Sequence, residues 1–147
     1  DATDLSQFSD NTFDVTLFFG PMYHLYEKDE VNCAIDEAIR VTKPNGVILF
    51  AFMSVFAIMY ANYFYGNWAE GQAYDVTDFE GLFREKPVKW ITTAGVDGLM
   101  EPIEKRPDFS MTDEEFEALA EWYLAFSEKR ELLGNTNHLL YICRKQA

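Results

Sequence analysis

The stretch FDVTLFFGPMYHL (Phe13–Leu25) decides the fold of this chain. Its apolar first half is typical of a buried strand, and Gly20-Pro21 ends that strand at a sharp corner. A loop that carries Tyr23 and His24 follows the corner. Because the apolar run is nearly continuous, it predicts a strand that is buried on both faces, as in a parallel sheet.

A second segment, RVTKPNGVILFAF (Arg40–Phe52), contains a helix end, a tight turn and another apolar strand. The amphipathic pattern of Glu27–Thr42 predicts the helix that joins the two strands. Two strands connected through one helix form a right-handed crossover and pair in parallel. Open parallel sheets bind ligands beyond the carboxyl ends of their strands. The predicted site therefore lies at Phe18–Leu25 and Phe52–Ser54.

Ser54 follows the second strand and belongs to the residue types that cap helices. The helix that it would begin, Val55–Tyr65, is rich in aromatic side chains and apolar nearly all round. This composition fits either a helix buried in the core or a lid whose aromatic side chains line a substrate pocket. Residues 54–106 are the predicted lid and specificity region.

The remainder of the chain predicts two further strands, at Val88–Thr93 and His138–Arg144, and one long helix. That helix, Thr112–Leu133, opens with a capping box formed by Thr112 and Glu115. Its apolar residues at helical spacing predict a buried stripe, which consists of Phe116, Leu119, Ala120 and Tyr123. We therefore expect one α/β domain over residues 1–147.

The chain has 147 residues, a formal net charge of −13 and a sequence pI near 4.4. An acidic surface repels nucleic-acid backbones and anionic membranes, so neither is an expected partner. No apolar run is long and uninterrupted enough to predict a membrane span. Cys33 and Cys143 lie in ordinary helix and strand patterns without the spacing of a metal site, and we expect both to be core residues of a cytoplasmic protein.

The segments SDNTFDVTLFFGPMYHL and DEAIRVTKPNGVILFAF resemble the second half of a class I S-adenosylmethionine-dependent methyltransferase of the ubiquinone/menaquinone-biosynthesis type. The similar features are Asp1-Ala2 before a loop, the strand beginning Phe13-Asp14-Val15, and the turn Arg40–Gly46. The resemblance implies a Rossmann-like sheet, of which this chain supplies the last four strands, the final one antiparallel. It also implies S-adenosylmethionine as the cofactor.

Carried over position by position, the resemblance assigns a cofactor-binding role to several residues. Asp1 would accept a hydrogen bond from the adenine amino group, and the Ala2 backbone would bond to the ring. The methionine and sulfonium side of the cofactor would be lined by Phe18, Phe19 and Gly20 at the strand end. Tyr23, His24 and Leu25 would follow them over the pocket.

Two parts of the family's cofactor site do not occur in this sequence. These are the glycine-rich loop that lets the backbone approach the cofactor and the acidic residue that holds the ribose hydroxyls. Gly95-x-x-Gly98 is the nearest glycine pair, and its neighbours do not fit such a loop. We expect the chain to be the carboxyl-terminal portion of a longer methyltransferase, and to be inactive alone.

The candidate site residues have the chemistry that methyl transfer requires. Phe18, Phe19 and Tyr23 could stabilise a sulfonium by cation–π attraction, or they could simply pack at the strand end. His24 is a candidate general base, since an imidazole exchanges protons near neutral pH, or it could hold the loop through a backbone bond. We place His138 among the structural residues.

We expect an enzyme that methylates a small molecule. The alternatives are a non-catalytic α/β interaction module and a nucleotide-dependent oxidoreductase, for which no dinucleotide fingerprint is present. The first strand would present an open backbone edge, which a second copy of the chain could cover as a homodimer.

Overall fold

The computed structural model describes residues 1–66, 71–98, 100–104 and 106–147. Strands and helices are interspersed along the described part of the chain, which confirms the predicted α/β class. Their bounds are β1 Phe13–Phe18, α1 Lys28–Val41, β2 Thr42–Ser54, α2 Val55–Tyr65, β3 Ala73–Tyr74, α3 Val76–Gly81, β4 Val88–Gly95, α4 Met100–Glu104, α5 Asp113–Phe126 and β5 His138–Lys145. Short 3₁₀ helices occur at Pro21–Tyr23 and Arg130–Asn135.

The sheet has the strand order β1-β2-β5-β4, and the two-residue β3 pairs with the end of β2. β1 and β2 are parallel, as the crossover predicts. β5 is antiparallel to β2 on one side and to β4 on the other. The arrangement matches the partial Rossmann-like sheet, with an antiparallel final strand, that the resemblance implies.

The turn before β2 is built differently from the sequence-based expectation. Thr42 begins the strand directly after α1, and the turn residues lie within the strand as an irregularity in its register with β1. Asn45 has a φ of 65°. Gly46 lies so close to β1 that a Cβ there would be 2.9 Å from the carbonyl oxygen of Asp14. The absence of a side chain at position 46 therefore lets the two parallel strands meet.

The core lies between α1 and the sheet and is rich in aromatic rings. The stripe Val31, Ala34, Ile35 and Ala38 of α1 is buried, as predicted. Ring pairs continue the packing: Phe52 stacks on Phe79 with centroids 3.8 Å apart, and Phe83 stacks on Tyr141 at 4.1 Å. Burial of the sheet against these rings stabilises the fold through the apolar area removed from water.

The prediction that β1 is buried on both faces is wrong. Val15 is 55% exposed and Leu17 is 62% exposed, whereas Phe18 is only 5% exposed. Successive strand side chains point to opposite faces, so one face of this edge strand packs on the core and the other meets solvent.

The helix predicted at Thr112–Leu133 ends earlier, at Phe126, and its apolar stripe is not buried. The capping box is confirmed, because the Thr112 hydroxyl accepts from the Glu115 N–H and the Glu115 carboxylate accepts from the Thr112 N–H.

The interpretation of α2 as a buried core helix is wrong, since Val55, Met59 and Tyr63 are exposed. Within the described ranges, each helix is too short or too polar to span a bilayer.

The two cysteines differ in environment. Cys143 is fully buried, and burial raises the pKa of its thiol to about 12. Cys33 is exposed, which contradicts its predicted place in the core. Its thiol donates a hydrogen bond to the Thr3 carbonyl, 3.2 Å away.

Replacing Gly46 with alanine should destabilise the fold, because the new Cβ would lie 2.7 Å from the Thr42 methyl and 2.9 Å from two carbonyl oxygens. We expect a loss of about 1–3 kcal/mol in the free energy of unfolding, measured by urea denaturation. Gly134→Ala is the matched control, since a Cβ there meets nothing within 4 Å. Equal stabilities of the two variants would contradict the close approach of β1 and β2.

Candidate functional site

One edge of the sheet collects the segments that follow β1, β2 and β4 and the segment that precedes β5. Backbone bonds hold these segments together: the Ser54 N–H donates to the Asn137 carbonyl at 2.9 Å, and the Val96 N–H donates to the His138 carbonyl at 3.0 Å. The Gln72 N–H donates to the Tyr23 carbonyl at 2.9 Å. This is the carboxyl edge at which the sequence predicts a site.

Ser54 caps α2, as its position predicts. Its hydroxyl oxygen accepts from the Ala57 N–H at 3.1 Å and donates to the Thr136 carbonyl at 2.7 Å. The side chain is thus occupied in joining β2, α2 and the segment before β5.

The end of β1 divides into a packed part and an open part. The Phe18 ring packs in the core, 5.2 Å from the ring of Phe50. Phe19 is 52% exposed. Gly20 has a φ of 108°, and a Cβ there would meet nothing within 4 Å. An open space therefore adjoins Gly20 and the exposed Phe19, whereas Met22 of the same loop is fully buried.

The predicted loop residues after the corner lie at different depths. Tyr23 is partly buried, and burial, together with the charge of Asp97, raises the pKa of its phenol. Its ring centroid lies 5.9 Å from that of His138. His24 is exposed, and Leu25 packs partly against the core.

Asp1 and Ala2 lie at the start of a segment that α1 holds in place. The Asp1 carboxylate accepts from the N–H and the hydroxyl of Thr3, each at 2.8 Å. Ala2 is partly buried against the core. Farther along, Arg40 donates to the carbonyl oxygens of Leu5 and Phe8, both at 3.0 Å.

Arg40 itself is oriented by two carboxylates. It donates to Glu37 at 2.6 Å and to Asp10 at 2.7 Å, and Glu37 also accepts from the Leu5 N–H. The hydrogen bond from Arg40 lowers the pKa of Glu37. The arginine of the predicted turn motif thus secures the segment that carries Asp1 and Ala2.

A hydrogen-bonded cluster around Asp97 is the feature that sequence reasoning missed. The Asp97 carboxylate accepts from the Thr136 hydroxyl, from the N–H groups of Asn137 and His138 at 3.0 and 3.1 Å, and shares a 2.6 Å hydrogen bond with His138 Nδ1. Burial raises the pKa of Asp97, but the bonds from His138 and Thr136 outweigh it, so the pKa is lowered overall. The cluster joins the end of β4 to the start of β5.

Gly95 and Gly98, the pair that does not fit a cofactor loop, have a packing role. A Cβ on Gly95 would overlap the Tyr123 hydroxyl, and one on Gly98 would lie 2.5 Å from the Tyr123 ring. The two glycines therefore let α5 lay this ring over the end of β4. Their spacing was the one local signal that could have drawn attention to this region.

A cavity of about 430 Å³, here called the α5 cavity, opens between α4, α5 and the 3₁₀ helix at Arg130–Asn135. Its lining is largely apolar, and Asp97 belongs to it. The residues that α5 contributes are Phe116, Leu119, Ala120, Trp122, Tyr123 and Phe126. Among the described residues, no group of three or more His, Cys, Asp or Glu side chains could hold a metal ion.

Asp97→Asn should lower the free energy of unfolding at pH 7 by about 1–3 kcal/mol, since charge-assisted bonds are lost. Because the pKa of Asp97 is lowered on folding, its carboxylate stabilises the folded state at pH values above 3.8, the ordinary pKa of the group. This stabilisation disappears as the pH falls through the lowered pKa. The difference between wild type and variant should thus shrink below about pH 4. Thermal unfolding across pH measures this.

Asp14→Asn is the control for that series. The Asp14 carboxylate is 82% exposed and pairs with Lys43 at 2.8 Å. Exposed pairs of this kind contribute about 0–1 kcal/mol. A loss as large as that of Asp97→Asn would contradict the special role of the Asp97 cluster.

Residues 1–50 match the family model described as a methyltransferase domain. No curated protein sequence is significantly similar to the chain.

Solved structures extend the likeness to the whole chain. A chain from the complex between the Haloferax volcanii Trm112 methyltransferase activator and a methyltransferase has a TM-score of 0.62 at 18% identity, covering 100% of this chain and 60% of that one. A SAM-dependent methyltransferase from Thermotoga maritima has a TM-score of 0.62 at 14% identity, and the match covers 99% of this chain and 61% of that one. The N-methyltransferase NodS from Bradyrhizobium japonicum, in complex with S-adenosyl-L-homocysteine, has a TM-score of 0.55 at 13% identity. That match covers 100% of this chain and 52% of NodS.

The chain thus spans only about half to two thirds of the length of these structures. At such low identities the likeness shows the fold, whereas the ubiquinone-type subtype and the missing glycine-rich loop stay predictions. Residues 1–50 therefore match the methyltransferase domain model, and the chain as a whole is similar in fold to solved structures of S-adenosylmethionine-dependent methyltransferases.

Proposed function

We propose that this chain forms part of an enzyme that transfers a methyl group from S-adenosylmethionine to a small molecule. One observation carries the proposal: the family match at residues 1–50 ends within β2 and contains the end of β1, where Phe19 and Gly20 lie open at the carboxyl edge of the sheet. Ligands of open α/β sheets bind at this edge.

The residues present fit one side of the cofactor. Open space adjoins Gly20, Phe19 presents an exposed ring next to it, and Tyr23 lies partly buried in the same loop. These three would face the methionine and sulfonium side. Asp1 and Ala2, secured through the Arg40 contacts of their segment, would meet the adenine. Phe18 and Leu25 stay predicted members of this site, although the Phe18 ring itself packs on Phe50.

S-adenosylmethionine, when bound, supplies an already activated methyl group. The work left to the protein is to hold the acceptor in line, to exclude water and to provide ring faces toward the positive charge. His24 is exposed in the loop and is the sequence-based candidate for removing a proton from the acceptor.

The remaining contacts to the cofactor would come from residues that precede Asp1 in a longer protein. The family resemblance supports this, since its glycine-rich loop and ribose-binding acid have no counterpart in this sequence. Within the predicted lid region 54–106, α2 would cover the acceptor, whereas β4 belongs to the sheet and Phe79 and Phe83 belong to the core. The exposed side chains of α2 described above support this part of the proposal, because a lid needs apolar residues that face outward from the core.

Calorimetric titration with S-adenosylmethionine and S-adenosylhomocysteine tests the proposal. We expect little binding by these 147 residues alone and micromolar binding by the longer protein. Tight binding by the 147-residue chain would contradict the divided cofactor site. Absence of binding by both would favour the alternative, an interaction module without catalysis.

The cation–π contribution has its own test in the longer protein. Tyr23→Leu should weaken binding of S-adenosylmethionine by about two- to thirty-fold, and binding of the uncharged thioether S-adenosylhomocysteine less, because only the sulfonium is positive. Tyr26→Leu is the matched control, since Tyr26 is an exposed tyrosine of the same loop. An equal loss for both ligands would rule out a role of the Tyr23 ring toward the sulfonium.

A further inference from the structure

We propose that the α5 cavity binds a neutral or cationic aromatic compound of one or two rings, and that this compound is the methyl acceptor. The first part concerns the cavity alone. The second part rests on the proposed function, since it gives the bound compound its role.

The apolar face of α5 is the first support. An amphipathic helix normally packs its apolar stripe on the core, but α5 has no buried residue. Phe116 is 55% exposed and Trp122 is 58% exposed, and both line the cavity. A contiguous exposed apolar surface of this kind marks a binding site.

The shape of the cavity indicates a small molecule. Its volume of about 430 Å³ lies within the range of ligand pockets, about 300–1,000 Å³. Walls come from the segment after β4, from α4, from α5 and from the 3₁₀ helix before β5, so the space is enclosed from several directions. Tyr123, partly buried over Gly95 and Gly98, adds an ordered aromatic ring to one wall.

The charges of the lining select the class of compound. Asp97 and Glu104 are the charged residues among the described lining, and both are acidic. Asp97 is already bonded to Thr136 and His138, whereas Glu104 is exposed. With a net charge of −13 on the chain, a carboxylate or phosphate ligand would be repelled, and a neutral or protonated amine would not.

The position of the cavity suits a methyl acceptor. Asp97 belongs to the cavity wall, and its carboxylate is bonded to His138 Nδ1. The His138 ring in turn contacts the ring of Tyr23, which the proposed function places toward the sulfonium. Two successive side-chain contacts therefore connect the cavity with the proposed donor side.

The test uses three indole probes of equal ring size and different charge: neutral indole, cationic tryptamine and anionic indole-3-acetate. Calorimetric titration of the 147-residue chain and of the longer protein should show binding of indole and tryptamine, and indole-3-acetate should bind at least about tenfold more weakly than tryptamine. Binding of indole-3-acetate as strong as that of tryptamine, or binding of none of the probes, would overturn the proposal.

Two alanines of α5 offer a matched pair of variants. Ala120 lines the cavity, whereas Ala118 is exposed outside it. Ala120→Trp should fill the cavity and weaken probe binding at least about tenfold, and Ala118→Trp should leave it within about twofold. Equal binding by the two variants would overturn the proposal. So would a dimer that buries the cavity face in solution and is broken by Ala120→Trp.

If Ala120→Trp lowers the thermal midpoint, its weaker probe binding could come from unfolding, and Glu104→Gln is then the variant that tests the cavity. Glu104→Gln removes a charge without altering packing. We expect the preference for tryptamine over indole-3-acetate to fall by about two- to fivefold. An unchanged preference would overturn the assignment of charge selectivity to this cavity.

The two proposals fail separately. If the longer protein binds S-adenosylmethionine but none of the probes, the cavity proposal is overturned and the proposed function stands. If it binds the probes but not S-adenosylmethionine, the cavity remains a binding site and its role as acceptor pocket is overturned.

Discussion

The structure depends on the two different pairings of β2, which is parallel to β1 and antiparallel to β5. Parallel β1 and β2 end at one edge of the sheet, and β5 begins at that edge because it runs the other way. β4, antiparallel to β5, also ends there. Strand pairing thereby brings the polar and aromatic loops of all four strands to one edge of the sheet.

A partly buried carboxylate stabilises this edge. Burial of a charge costs free energy unless hydrogen bonds compensate for it. Asp97 receives such bonds from Thr136, Asn137 and His138, and so ties the end of β4 to the start of β5. The lowered pKa of Asp97 is the electrostatic sign that these bonds outweigh desolvation. Order at this edge is what a binding site needs, since an ordered wall loses little entropy when a ligand binds.

The chain has more apolar surface than its core uses. The aromatic cluster around Phe52, Phe79, Phe83 and Tyr141 is closely packed, whereas the outer face of β1 and the inner face of α5 remain accessible. Soluble proteins rarely leave such surfaces without a partner or ligand. The two faces can bind different partners, because an edge strand can pair with another strand and a concave cavity can bind a small molecule.

The sequence by itself determined what local spacing encodes: the β1–α1–β2 crossover, the buried stripe of α1, the cap at Ser54 and the capping box at Thr112. The stripe and the two caps each depend on residues within a few positions of one another, so periodicity and residue type suffice. The crossover follows from the order of strand, helix and strand, because such a unit pairs its strands in parallel. Only the tertiary structure decided that Asp97 meets His138, 41 positions away, and that Tyr123 lies over Gly95 and Gly98. It also decided that α5 faces a cavity rather than the core. A helical stripe shows that one face is apolar, but what covers that face depends on distant segments, and local periodicity carries no information about them.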